Sequence, residues 1–480
     1  MASFDNSHIT RLTDLINHAV KDVITEYAAV GQAVPSLDTL DPGPFSVPEA
    51  MPVRLRKAIQ IIEAACAQLS CTVALPGSVL LNKSLEVVTE GHIADLLLDK
   101  PQGLTASDLA MRSGLDEAKL TGVMRLLATR HCFKEVQPGV FANNRLSIQL
   151  LSTDPIASLV AYVTDEGLRA SSYLNETLTN PLGTDDDIPF KRFSGQGLYE
   201  YYRTDKGRKQ GERVMRAMIA WGDITGKGFL PQAYSWAAQP TKTTFCDVGG
   251  GNGWVSIGLV RAHPHIKVVL QDQPQVIEMA KQLWAKEYPS AVEQGKVEFV
   301  PFDFLKDTAV EGCDFYYLRS ILHNWTNSDC ELILNNIRKS MKPSSKLILD
   351  EFVLWEAIQA QGSSVDADNA SLSHAPEPLL GNYGAGRIRA YSISLHMMNV
   401  CGSQERTFSE WVSLCEKCGF TFSKIYEAGD MSLLEFNPTR ISGVASVLGT
   451  PNILENISDF PGLLSENNLP ARLERKWVWP

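Results

Sequence analysis

The stretch Thr243 to Trp254, TTFCDVGGGNGW, constrains this chain more than any other. A short apolar run ends in Asp247 and is followed by three glycines, Asn252 and a fourth glycine. A buried parallel strand that feeds a glycine turn and then a helix brings backbone N–H groups and a helix N-terminus to one point. There a nucleotide-like ligand can approach the backbone closely. The spacing is G-x-G-x-G (Gly249, Gly251, Gly253), one residue tighter than the G-x-G-x-x-G of a dinucleotide fold, so a pyrophosphate is not the expected guest. A glycine turn without a ligand has the same string, and the residues downstream decide between the two.

After the helical stretch WVSIGLVRAHP, the segment IKVVLQDQPQVIEMAKQLW predicts a second apolar strand ending in Asp272, followed by a helix. An acid at that strand tip is where a ribose diol is held by a bidentate carboxylate; the plain alternative is a helix N-cap. A third strand, VEFVPFDF, ends in Asp303 and Phe304, an acceptor beside an aromatic face, suited to an adenine amino group and its ring. For Asp303 the alternative is a turn residue. Asp314 to Leu318 predict a fourth strand, which places Arg319 and His323 at or just past its carboxyl end, the edge where open α/β sheets keep their ligands. KLILDEFVL predicts a fifth, ending in Asp350 and Glu351.

Taken together, DVGGGNG, LQDQPQVI, PFDF and YYLRSILHNWTNSDCELILNNI resemble the class I S-adenosylmethionine-dependent O-methyltransferases, in particular the branch acting on plant phenolics of the caffeate type and on fungal polyketides. The resemblance runs from about Pro52 to Asn437 and is densest from Asp247 to Glu405. It implies an α/β fold: a Rossmann-like class I methyltransferase domain, its mostly parallel sheet ending in an antiparallel hairpin, preceded by a helical winged-helix dimerisation domain. FSKIYEAG and MSLLEFNP suit that hairpin. It implies S-adenosyl-L-methionine as cofactor, with Gly249, Gly250, Gly251, Asp272, Asp303, Phe304 and Arg319 in contact with it. It places the general base at His323, in an H-x-W setting with Trp325, flanked by carboxylates at Glu351 and Glu405. Chemically this is coherent: an imidazole with an ordinary pKa near ~6.5 can take a phenol's proton as the methyl group arrives, and a carboxylate on its other nitrogen fixes the tautomer. Glu405 has a plain alternative as a helix-start acid.

At 480 residues the chain is long enough for two or three domains. A net charge of −11 argues against a nucleic-acid partner, since phosphate binding needs a basic face. The opening MASFDNSHIT is polar, and no apolar stretch reaches spanning length, so neither a secretory signal nor a membrane span is expected and cytoplasm is the default location. The nine cysteines are scattered, with one Cys415-x-x-Cys418 pair and no second, so no metal site is expected.

Residues 1–52 predict a helix, HITRLTDLINHAVKDVITEYAAV, and a proline-bearing linker. Residues 53–150 predict a winged-helix unit closed by the hairpin-like VFANNRLS. Its third helix opens with Asp116 and Glu117, which would meet phosphates badly. The resemblance makes this unit a homodimerisation platform that lends residues to the substrate pocket; His131 near its end either faces that pocket or is simply packed. Residues 151–240 are mostly helical, and Met215, Met218 and Trp221 share one face. Packing against the sheet is the default for such a face, and a wall for a flat aromatic or polyketide substrate is the alternative. The catalytic domain is expected over 241–438. Within it the polar loop 356–389 reads as a lid or as disorder, and the helix AYSISLHMMNVC offers Met397 and Met398 to a pocket. The extension 439–480 receives no role.

The expected function is methyl transfer to a hydroxyl of a small phenolic or polyketide-like natural product. One alternative within the same fold uses S-adenosylmethionine unreacted, to promote dehydration or pericyclic chemistry. Those relatives tend to carry Arg or Lys in place of the base, whereas His323, Glu351 and Glu405 are all present here. A non-enzymatic winged-helix regulator is the third reading, and the acidic charge speaks against it.

Overall fold

A computed structural model describes residues 7–36, 39–73, 84–130, 132–144, 146–180, 187–358, 375–376 and 379–439. Seven strands form the main sheet: β1 (Thr244–Val248), β2 (Lys267–Asp272), β3 (Val297–Pro301), β4 (Phe315–Arg319), β5 (Lys346–Glu351), β6 (Phe420–Ala428) and β7 (Met431–Pro438). Their order across the sheet is β6-β7-β5-β4-β1-β2-β3. The five strands from β5 to β3 are parallel, and β7 runs antiparallel to both of its neighbours, as the antiparallel ending of the resemblance requires.

The parallel strands are apolar on both faces because helices cover both. On one side Ile257, Trp236 and Trp284 pack against the sheet, and on the other Ile333, Ile337 and Trp411 do. Side chains that are buried on both faces read as continuous apolar runs, which is why FCDV, KVVLQD and LILDE announced themselves. The strand order reverses between β4 and β1. Register puts Asp247 of β1 beside Tyr317 of β4, and Arg319 of β4 beside Asp350 of β5, so the polar strand ends lie along one edge at that crevice.

The fifth strand ends at Asp350 and Glu351, as expected. KLILDEFVL leaves the sheet at Glu351, and Val353–Leu354 instead pairs in parallel with Arg406–Thr407. Phe352, between the two pieces, turns into a contact with Trp221 at 5.9 Å. The small pairing holds the segment around Glu405 against the end of β5.

Towards the N-terminus, the helix Ser7–Ala29 packs on Val53–Val73. Beyond it, Ala106–Ser113 and Glu117–Thr129 lie with a small antiparallel sheet in which Val140–Ala142 is flanked by Leu104–Thr105 and Lys134–Gln137. Asp116 accepts the N–H of Lys119 at 2.9 Å, so this acid caps its helix. Among the described residues no helix is long and apolar enough to cross a membrane. Most of the expected lid, 356–389, and all but the first residue of the 439–480 extension lie outside the described residues.

Candidate active site

A cavity of about 420 Å³ opens at the carboxyl edge of β1, β2 and β4 and is roofed by the helices Arg208–Ile224 and Ile388–Cys401. Its wall includes Gly249, Gly250, Gly251, Asp272, Asp303, Phe304, Arg319 and His323. Met215, Met218, Trp221, Trp325 and Met397 line it too. The methionine and tryptophan face of Arg208–Ile224 is therefore a cavity wall, and Trp221 also serves the packing role through Phe352. Met398 does not line the cavity, and His131 lies outside the described residues.

The glycine turn is tied to what surrounds it. A Cβ on Gly250 would stand 2.4 Å from Cγ of Asp247, so the backbone rests directly on that carboxylate. Burial pushes Asp247 up to about 7, although Ser256 Oγ donates to it at 2.5 Å. Gly253 has φ 82°, and a Cβ there would meet Nε1 of Trp284 at 2.4 Å, so the turn enters its helix by a route open only to glycine. Gly251 has open space around it and donates its N–H to Asp272 Oδ2 at 2.8 Å.

Asp272 is held from both sides, since its Oδ1 accepts the N–H of Gln273 at 2.7 Å. Gln273, not Asp272, occupies the cap position of the following helix. Each oxygen keeps a lone pair for a further donor, which is what a vicinal diol needs. Asp303 does take the turn role, accepting the N–H of Leu305 at 3.1 Å and pairing with Lys306 at 2.8 Å, while still facing the cavity. Phe304 stands edge-on to Trp325 at 5.4 Å. Arg319 is a braced cation: it is paired with Asp350 and donates to both the carbonyl and the hydroxyl oxygen of Thr225 at 3.1 Å. Tyr317 adds a hydrogen bond to Asp350 at 2.6 Å.

His323 sits on a short turn, Leu322–Asn324, just past β4. Its Nδ1 is 2.6 Å from Glu405 Oε1, and both side chains are buried. Glu351 Oε1 does not bind the imidazole; it accepts the N–H groups of Ile321 and Leu322 at 3.0 and 2.9 Å, fixing the backbone that carries it. Among the described residues, Oε2 of Glu351 and Oε2 of Glu405 have no hydrogen-bond partner. Burial pulls the His323 pKa down, but the charge and hydrogen bond of Glu405, with Glu351 behind it, lift it to about 9. Burial pushes Glu351 up, and the imidazole partly offsets this. The three groups offer one nitrogen and two carboxylate oxygens within 4.8 Å of one another, a donor set a cation could use. Each carboxylate nonetheless has an Oε1 already engaged, on the imidazole or on the backbone.

Among the cavity-wall residues that were not singled out from the sequence are three with polar or strained features. Ser320 adopts φ 52°, turning the chain between Arg319 and the base, and its carbonyl accepts from Asn324 at 2.9 Å. Lys227 lies over the Trp254 ring at 5.1 Å. His396 lines the cavity from the helix Ile388–Cys401. No local periodicity or composition marks any of the three.

Comparisons with known proteins bear on the family and the fold. The family model described as an O-methyltransferase domain matches residues 172–372, and one described as an O-methyltransferase dimerisation domain matches residues 74–153. A relative from Phanerochaete chrysosporium, 3-O-methyltransferase 2, is 41% identical over 443 residues, covering 90% of this chain and 98% of its own length. O-methyltransferase gedA of Aspergillus terreus is 26% identical over 482 residues, with 90% and 96% covered. Among solved structures, the mitomycin 7-O-methyltransferase MmcR superposes with a TM-score of 0.58 at 25% identity, covering 74% of this chain and 94% of its own.

Proposed function

The chain belongs to the O-methyltransferase family, and from that premise we propose that it methylates a hydroxyl of a small phenolic or polyketide-like natural product, with His323 as general base. The cofactor is S-adenosyl-L-methionine, whose sulfonium supplies an activated methyl group. The residues present fit it: a glycine turn resting on Asp247, an Asp272 with both oxygens pre-aligned, and Phe304 beside Asp303 on the wall of one cavity. In this reading Asp272 binds the ribose hydroxyls, Asp303 and Phe304 the adenine, and Arg319, held in place by Asp350, contacts the cofactor.

What the chain must then do is hold the acceptor and remove its proton. The observation that carries the assignment is the buried contact between His323 Nδ1 and Glu405 Oε1 at 2.6 Å on the cavity wall. With Nδ1 committed, Nε2 is the nitrogen that receives the acceptor's proton, and Glu405 stabilises the imidazolium that results. Glu351 acts one step back, by holding the Ile321 and Leu322 amides that set the height of the ring. Trp221, Met215, Met218, Trp325 and Met397 make a mostly apolar slot suited to a flat ring.

The N-terminal unit is proposed to join two copies into a homodimer acting in the cytoplasm. Incubating the full chain with methyl-labelled cofactor and a panel of phenols tests the reaction itself. Label on a product oxygen is the expected result; turnover that leaves the label on the cofactor would overturn it.

A further inference from the structure

His396 has no place in the chemistry described so far. It is 8% exposed and lines the same cavity as His323, yet among the described residues its Nε2 is buried without a hydrogen-bond partner. A buried polar atom left unpaired is costly, so native structures rarely keep one without a use.

The fold makes deliberate room for this ring. The helical segment before it, Pro155–Tyr162, widens into a single π-turn at Val163–Gly167, and π-turns of this kind concentrate at functional sites. The turn ends on Gly167, where a Cβ would stand 2.6 Å from His396 Nδ1 and 2.8 Å from its Cε1, so any other residue would displace the imidazole. Tyr162 meets the ring edge-on at 4.8 Å and sets its plane. Apolar groups of similar size, Met397 and Ile393, occupy neighbouring wall positions on the same helix, so packing alone does not call for a histidine here.

We propose that His396 is a specificity-determining residue that hydrogen-bonds a second oxygen on the acceptor, so that the preferred acceptors are flat rings bearing a hydroxyl to be methylated and another hydroxyl or carbonyl oxygen. Burial and the nearby positive charge of His323 pull the His396 pKa down to about 4, so the ring is neutral across the working range and offers one donor and one acceptor. The two histidines of the cavity are thus driven apart in basicity: one is suited to proton transfer and the other to recognition.

This inference rests on the acceptor site proposed above, and binding separates the two. The affinities of the naphthalenediols and of 2-naphthol are compared by calorimetry on the full chain, with S-adenosylhomocysteine present. At least one diol is expected to bind ~10-fold or more tightly than 2-naphthol, the size of one good hydrogen bond. His396→Met is expected to erase that margin while leaving 2-naphthol and S-adenosylhomocysteine binding unchanged, and His396→Gln to keep part of it. Gly167→Ala, which displaces the ring without removing it, should erase the same margin. Absence of any diol preference in the unaltered enzyme, or a preference that survives both His396→Met and Gly167→Ala, overturns the proposal. A methyl label that stays on the cofactor overturns the transfer reading instead and leaves the binding margin intact.

Discussion

Glu405 Oε1 lies 2.6 Å from Nδ1 of His323, although 82 residues separate the two in the chain and both are buried. An ionised carboxylate sealed beside an imidazole is stabilised when the ring carries a proton, so the pair is built to receive one.

Replacing His323 by Ala removes the proton acceptor and leaves the glycine turn and Asp272 in place. Methyl transfer should fall by ~10² to ~10⁴-fold while S-adenosylhomocysteine affinity stays near normal. Parallel turnover and calorimetric measurements check this, and loss of both together would mean that His323 is a structural residue.

The same pair fixes a pH dependence. His323 is raised to about 9, so in the ligand-free enzyme it is protonated below that value and unable to accept a proton. The neutral, active form gains population as pH rises, and imidazole NMR signals should titrate near 9. In Glu405→Gln the main charge that lifts the pKa is gone and only the weaker pull of Glu351 remains, against burial, the largest influence, and Arg406, which both lower it. The titration should then move to the acid side of ~6.5, the ordinary histidine value. A titration that does not move in the variant would refute Glu405 as the partner. The sign for stability follows the raised pKa: the contribution of the ion pair is complete below ~6.5 and is lost as pH climbs through about 9.

Much of the nucleotide half of the site was legible because it is written in contiguous strings. The run DVGGGNG has one geometry open to it, and Asp272 follows at the end of a strand that is apolar throughout. The catalytic half depends on contacts between distant segments. The segment that carries Glu405 is held by a two-residue pairing of Val353–Leu354 with Arg406–Thr407, too short to leave a pattern of its own, so Glu405 was legible only through the family resemblance. Spacing could not separate core from cavity wall for Met215, Met218 and Trp221, since both demand the same apolar stripe. Adjacent methionines at 397 and 398 differ by about 100° around the helix, and only the first meets the cavity. His396 was invisible, a lone histidine in a helix of mixed composition, and its significance comes from the missing partner of Nε2 among the described residues.

Asp272 should govern cofactor affinity in a way that pH also reveals. Burial raises its pKa to about 6, against the opposing hydrogen bonds from the Gln273 and Gly251 amides. Its carboxylate is ionised above that value, so affinity for S-adenosylhomocysteine is expected to hold between pH 7 and 8 and to weaken as pH falls from 7 to 5. Asp272→Ala should weaken binding by about 2–3 kcal/mol at neutral pH, the loss of two bonds to a charged acceptor, and should remove this pH dependence. Equal affinity in the variant, or tighter binding of NAD than of the methyl donor, would defeat the assignment.

The final prediction concerns assembly. Large apolar side chains stand out from the N-terminal 150 residues: Met111 is 75% exposed, Ile24 55% and Leu126 41%. The unit that carries Met111 and Leu126 matches a dimerisation domain, so these exposed apolar side chains are expected to meet a second copy. A two-fold interface uses the same patch on both copies, so one substitution acts twice. The intact chain should therefore sediment as twice 52.9 kDa at micromolar concentration. Met111→Asp with Leu126→Asp, which places like charges on both faces at once, should shift the equilibrium toward single chains. Removal of residues 1–150 should leave a monomeric or insoluble product, because the faces those helices covered are then bare as well. An intact chain that sediments as a monomer at every concentration would refute the homodimer, as would duplex DNA binding with a steep salt dependence in place of self-association.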